Sequence, residues 1–205
     1  MSDHLITTVE ALESLYGATH AAAITKEIDH INDIYRRLIE LAPFVAVATG
    51  GPGGFDCSPK GDAPGFVHIL DEKTLAIPDR PGNNRLDSFR NLLVDPRIAI
   101  LFLIPGVGET LRVNGRASIS VDPTLMDRFV VNGKPPRCVL VVHVESVYFH
   151  CSKAIVRSKL WDPAVQIDRK TLPSTGAMIS ELSKGKVDGA AYDRDAPEKI
   201  KAMLY

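Results

Sequence analysis

The sequence predicts a mainly β domain with flanking helices, its strands antiparallel in a barrel or sandwich. Six short runs rich in β-branched and aromatic residues fall between residues 44 and 149. Turn-forming stretches separate most of them at short range. Both flanks instead repeat apolar residues at helical spacing. With 205 residues, 45% hydrophobic and 24% charged, the chain can bury a core without a disulfide or metal staple.

Residues 1–42 read as a helical extension. A short amphipathic piece spans about Val9 to Tyr16. Ile24, Ile28, Ile31, Tyr35 and Leu38 then form one apolar stripe that Pro43 ends. Residues 43–163 hold the strands. Phe44 to Thr49 is the first, and Gly50 to Gly65, with six glycines and three prolines, reads as a loop. Phe66 to Leu70 and Thr74 to Ile77 form a hairpin; Arg97 to Ile104, Leu111 to Ser120 and Val139 to Phe149 complete the six. Helices are predicted at about Arg85 to Val94, stopped by Asp95-Pro96, and at about Pro123 to Val131. Residues 164–205 form a tail with two helical stretches, about Ser174 to Ser183 and Pro197 to Leu204, apolar enough to pack on something such as a second subunit.

The net charge of −1, from 24 basic and 25 acidic residues, gives no general drive toward nucleic acid or an anionic membrane. The longest strongly apolar run, Ile98 to Gly108, is broken by Pro105 and too short to span a bilayer. Met1-Ser2-Asp3-His4 lacks the basic start of a signal peptide. Cys57, Cys138 and Cys151 are odd in number with no CxxC pair, which favours free thiols and a cytoplasmic chain.

Chemistry concentrates in Ile77 to Asn91. A strand ends, a Pro-Gly-Asn turn follows, and a helix starts near Asn84, a good N-cap with Asp87 three residues on. The unpaired N–H groups of such a helix start attract anions. Arg80, Arg85 and Ser88 can converge there, and guanidinium forks suit phosphate oxygens. From Arg80 to Arg116 there are six arginines, no lysine and three acids. A capped surface helix with solvated arginines is the plainer alternative. Arg112, Asn114 and Arg116 share one strand face, toward a ligand if enclosed and solvated if not. Lys153, Arg157 and Lys159 precede the only tryptophan, Trp161, and could hold a phosphate or a flavin or lie on the surface. There is no GxxxxGK[ST] loop, HExxH pair or GxSxG elbow, and Cys57 has no evident histidine partner.

The succession of the DCSPKGD loop, PGFVHILD, TLAIPDR, GNNRLDSFRNLLVDPRIAILF, ETLRVNGRASIS and CSKAIVRSKLWDP resembles the pyridoxamine 5′-phosphate oxidase-related, FMN-binding split-barrel proteins over about residues 43 to 163. The resemblance implies a six-stranded antiparallel split β-barrel and a homodimer with FMN between subunits. By the same resemblance, Arg80, Asn84, Arg85 and Ser88 hold the phosphate, and Ser58 and Lys60 touch phosphate, ribityl or ring edge. Backbone groups of Val67 and Ile77 meet the ring, while Arg112, Asn114, Lys153, Arg157 and Trp161 complete the pocket, partly from the partner. Two departures stand out: Asp87 and Ser88 occupy the places of the family's Arg-Lys pair, and Trp161-Asp162-Pro163 replaces its Arg-x-x-Pro ending. Pyridoxamine phosphate oxidation is therefore not expected. The expectation is an FMN-dependent oxidoreductase transferring hydride to or from an unknown small molecule, with a non-catalytic FMN carrier or sensor as the alternative.

Overall fold

The computed structural model describes residues 4–204. Met1 to Asp3, on which the reading of the leader partly rests, lie outside the described residues. The strands are β1 (Phe44–Gly51), β2 (Gly54–Gly61), β3 (His68–Asp71), β4 (Thr74–Asp79), β5 (Arg97–Leu103), β6 (Thr110–Ser120) and β7 (Cys138–His150). The helices are α1 (Val9–Tyr16), α2 (Ala21–Thr25), α3 (Asp33–Leu41), α4 (Asp87–Val94), α5 (Pro123–Asp127), α6 (Lys153–Ser158), α7 (Thr175–Leu182) and α8 (Gly189–Met203).

Seven strands, not six, form one antiparallel sheet in the order β2-β1-β5-β6-β7-β4-β3. The additional strand, β2, lies inside the stretch read as a Gly- and Pro-rich loop. It pairs along its whole length with β1, from Gly51↔Gly54 to Phe44↔Gly61. As an edge strand it tolerates Pro59, whose missing N–H breaks no ladder on the open side. The ladder does not close into a barrel. Lys60 of β2 instead reaches Asp79 of β4 at 2.7 Å, so the two ends of the curled sheet meet through side chains.

Inside the curl, Val45, Val47, Ile98, Ile100, Phe102, Leu111, Val113, Leu140 and Val142 are buried, with Tyr35 and Ile39 of α3 packed onto them. Alternation along each strand supplies this face, and a fully buried Val, Leu, Ile or Phe contributes about 1.5–3 kcal/mol. The long N-terminal stripe is broken. Ile24 is exposed in α2, Ile28 exchanges backbone hydrogen bonds with Val147, and Ile31 donates its N–H to the Glu72 carbonyl at 2.7 Å. Asn32 then caps α3, its side chain accepting from the Tyr35 N–H at 2.9 Å. Sheet edges that the stripe could not reveal draw residues 28–31 out of helix.

Several boundaries move. α5 stops at Asp127, short of Val131. α8 runs from Gly189 through Pro197 to Met203, longer than the stretch expected after Pro197. Asp193 of α8 loops back onto α7, accepting from the Gly176 N–H at 2.7 Å and from the Ser174 hydroxyl. Among the described residues, no helix is long and apolar enough to cross a membrane.

Candidate functional site

A cavity of about 390 Å³ opens where β2, the end of β4 and the start of α4 meet. Period-two alternation along β2 turns Asp56, Ser58 and Lys60 inward, half-buried, and leaves Phe55, Cys57 and Pro59 exposed. On the other wall β3 ends its pairing at His68↔Ala76, so Ile77–Asp79 of β4 pair only with β7. α4 is pinned above by Asn91, whose side-chain amide donates to Thr49 Oγ1 at 3.3 Å and to the Gly54 carbonyl at 3.2 Å.

The expected cap of α4 is corrected. Asn84 does not cap the helix but sits in the turn before it, with φ +58°. Leu86 occupies the N-cap position and no side chain accepts from the first turn. Within that turn the Asn83 side chain accepts from the Arg85 N–H at 2.9 Å. The helix start is therefore bare, and Asn84, Arg85, Leu86 and Ser88 line the cavity beside it.

Ser58, Lys60, Arg80, Asn84, Arg85 and Ser88 are brought together around this one cavity. Val67 and Ile77 are buried in the core nearby. The remaining expected residues lie elsewhere on the same chain. Arg112 donates to the Tyr148 hydroxyl at 2.9 Å and Asn114 to Ser146 Oγ at 3.3 Å, on the outer sheet face. Lys153 and Arg157 are exposed on α6, and Trp161 donates its ring N–H to the Val107 carbonyl at 2.8 Å.

Arg137, which also lines the cavity, carried no sequence signal: it lies in an irregular stretch before β7. Asp56 was also missed. Its carboxylate accepts from Ser58 Oγ at 2.9 Å and from the Ser88 hydroxyl, joining β2 to the start of α4. Treating DCSPK as a strand would have put Asp56, Ser58 and Lys60 on one face.

The cations are braced rather than loose. Arg80 Nε lies 3.0 Å from Asp62 and its Nη1 donates to the Phe129 carbonyl at 2.6 Å. Arg85 pairs with Asp87, which holds the guanidinium more firmly protonated. Among the described residues Arg137 has no ion pair. Nearby carboxylates thus offset much of the positive charge, so an anion placed here would depend on directed donors. A guanidinium has five N–H groups, so Arg85 keeps donors beyond the Nε spent on Asp87. Phe66, Pro78 and Phe89 supply apolar wall. No histidine or cysteine lines the cavity, and burial pushes the neighbouring Cys138 thiol up, away from the thiolate.

His68 stacks on Phe129 at 4.1 Å, beside the carbonyl that holds Arg80. Burial, then Arg128 and Arg80, lower its pKa; burial, then Arg112 and Lys26, lower that of His150. As pH falls, the unfolded chain binds these protons first, so stability is lost on acidification below the unfolded value of about 6.5. The melting temperature is expected to decline from about pH 7 to about pH 5, and His68→Gln to flatten part of that slope. An unchanged slope in the variant would count against the assignment.

A family model described as pyridoxamine 5′-phosphate oxidase matches residues 31–151. The chain belongs to this family. The pyridoxamine 5′-phosphate oxidase match takes in the whole sheet and the cavity but leaves out α1, α2 and everything from α6 onward. Similar solved structures include HupZ of Group A Streptococcus, 22% identical over 57% of this chain and 91% of that one, with a TM-score of 0.46. General stress protein 26 of Bacillus anthracis is 16% identical over 56% and 88%, with a TM-score of 0.43. An F420 reductase is 22% identical over 58% and 98%, with a TM-score of 0.41. No curated protein matches the sequence.

Proposed function

We propose that this protein is an FMN-dependent oxidoreductase acting on a small molecule, with the cavity at the start of α4 as the seat of the FMN phosphate. The observation that carries the reading is the bare first turn of α4, set among the donors of Arg85, Asn84, Ser88, Arg80, Lys60 and Arg137. A phosphate needs such N–H groups and guanidinium forks, and a flavin ring needs a flat apolar wall of the kind Phe66, Pro78 and Phe89 provide. The residues present fit the group.

When bound, FMN supplies hydride chemistry that side chains lack. The chain's part is to bind and orient. Arg85, Asn84 and the backbone N–H of Ser88 grip the phosphate; the Ser88 and Ser58 hydroxyls, which donate to Asp56, brace β2 against the start of α4; the one-sided stretch Ile77–Asp79 offers backbone groups to the ring. Arg112, Asn114, Lys153, Arg157 and Trp161 do not reach this cavity within one chain, so their part in the site requires a second copy. A homodimer is proposed on that ground.

The purified protein is expected to show the visible bands of oxidised flavin, or to gain them on titration with FMN. A colourless protein that takes up no FMN would remove the proposal. Arg85→Ala is expected to raise the FMN dissociation constant about tenfold, the scale of a charge-assisted contact. Arg90→Ala, one turn further along α4 and off the cavity, is expected to change it little. Equal effects would move the phosphate elsewhere. Bleaching of the bound flavin by NADH or NADPH separates an enzyme from a carrier.

A further inference from the structure

We propose that the N-terminal arm, residues 4–25, docks on the segment Lys153 to Leu172 of a second copy of this chain. The inference rests on the dimer proposed above but not on the flavin.

α1 is a well-finished helix. Thr8 Oγ1 accepts from the Ala11 N–H at 3.2 Å, and Gly17, with φ +72°, closes the end by donating to the Glu13 carbonyl at 2.9 Å. Eight residues do not hold a helix in water without packing. Yet α1 and α2 bury no residue in their own chain, and Val9, Leu12, Leu15 and Tyr16 are all exposed.

The accessible surface of the chain is 13848 Å². A compact monomer of 22.3 kDa would expose about 9,400 Å². The excess, about 4,400 Å² per chain, is more than an obligate dimer needs, since such interfaces bury about 2,000–5,000 Å² over both partners together. The two ends outside the family match, which bury almost nothing, contribute to that excess. α6 and the two short 3₁₀ turns after it (Pro163–Val165 and Arg169–Thr171) bury nothing, and α7 and α8 bury only Gly176 and Gly189 against each other.

Charge selects the pairing. Residues 4–25 carry Glu10 and Glu13 and no lysine or arginine. Residues 153–172 carry Lys153, Arg157, Lys159, Arg169 and Lys170 against Asp162 and Asp168. Those two carboxylates are engaged at home, each accepting a backbone N–H at 2.9 Å to cap a 3₁₀ turn. The same segment exposes Val156, Leu160, Val165, Ile167 and Leu172. An acidic apolar arm thus faces a basic apolar strip, each uncovered in its own chain.

The test is carbodiimide cross-linking of the full-length protein, after isotopically light and heavy copies have exchanged subunits. Mixed-isotope links from Glu10 or Glu13 to Lys159 or Lys170 are expected. Amide exchange across Val9–Tyr16 is expected to be slowed about tenfold or more over the unstructured rate. The double variant Leu12→Glu, Leu15→Glu alters no buried position, so the protomer keeps its circular dichroism while losing the links and the protection. Links confined to one isotope, no link, unprotected α1 amides, or a variant that keeps both signals would overturn the proposal. A monomer in sedimentation would remove the dimer with it; a dimer lacking these signals would remove the arm alone.

Discussion

Gly115→Ala is expected to lower stability by about 3 kcal/mol or more, or to leave the protein insoluble. At this point β6 and β7 change register: Asn114 pairs with Ser146 but Gly115 with Val144, leaving Glu145 as a bulged extra residue. The bulge brings the β7 backbone down onto Gly115. A methyl group there would sit far inside van der Waals contact with the His143 carbonyl oxygen, 3.0 Å from its carbon and 3.3 Å from Val144 Cα. The atoms it meets are all β7 backbone, so no rotamer change relieves the clash. The ladder between the two longest strands would have to part next to the buried Val113, Ala117 and Val144. Urea denaturation of the soluble fraction checks this; a midpoint within error of the parent would show that the bulge can shift to admit the methyl.

Arg80→Ala is expected to cost about 3 kcal/mol, near the lower end for breaking a buried ion pair. The Arg80 side chain is 20% exposed and that of Asp62 8%, so solvent screens the pair only in part. One guanidinium spans from Asp62, after β2, to the Phe129 carbonyl, beyond α5, and lines the cavity between them. Its loss takes away a charge partner of Asp62 and a donor to Phe129 together. Arg80→Lys keeps the charge but not the fork and is expected to fall between the two. The measurement is the urea midpoint with and without FMN. A larger loss of midpoint in the presence of FMN than in its absence would mean that Arg80 serves the cofactor as well as the seam. A parent-like stability without FMN would show that the bracing is idle.

Much of the architecture was legible because its causes are local. Runs such as RIAILFLI and VLVVHVESVYF can bury alternate side chains only as strands, and Asp95-Pro96 stops α4 where it was expected to stop. β2 was not legible, because Gly and Pro weaken the strand signal that its pairing with β1 supplies. The N-terminal stripe misled for a related reason. Ile28 and Ile31 have helical spacing, but bridging Val147 and Glu72 satisfies their backbone groups without a helix.

The sequence by itself determined which residues could serve an anion site, Arg80, Arg85 and Ser88 around a helix start; Ser58 and Lys60 entered only through the family resemblance. Residue type, spacing and helix polarity suffice for that, since they act over a few positions. Only the tertiary structure decided that these segments meet in one cavity, that Arg137 and Asp56 belong to it, and that Arg112, Asn114, Lys153, Arg157 and Trp161 stand apart within one chain. Curling of the sheet brings β2 to β4 across strands distant in sequence, and the ion pair of Lys60 with Asp79 joins them. Contacts of that kind depend on how a twisted sheet returns on itself, which no local pattern encodes.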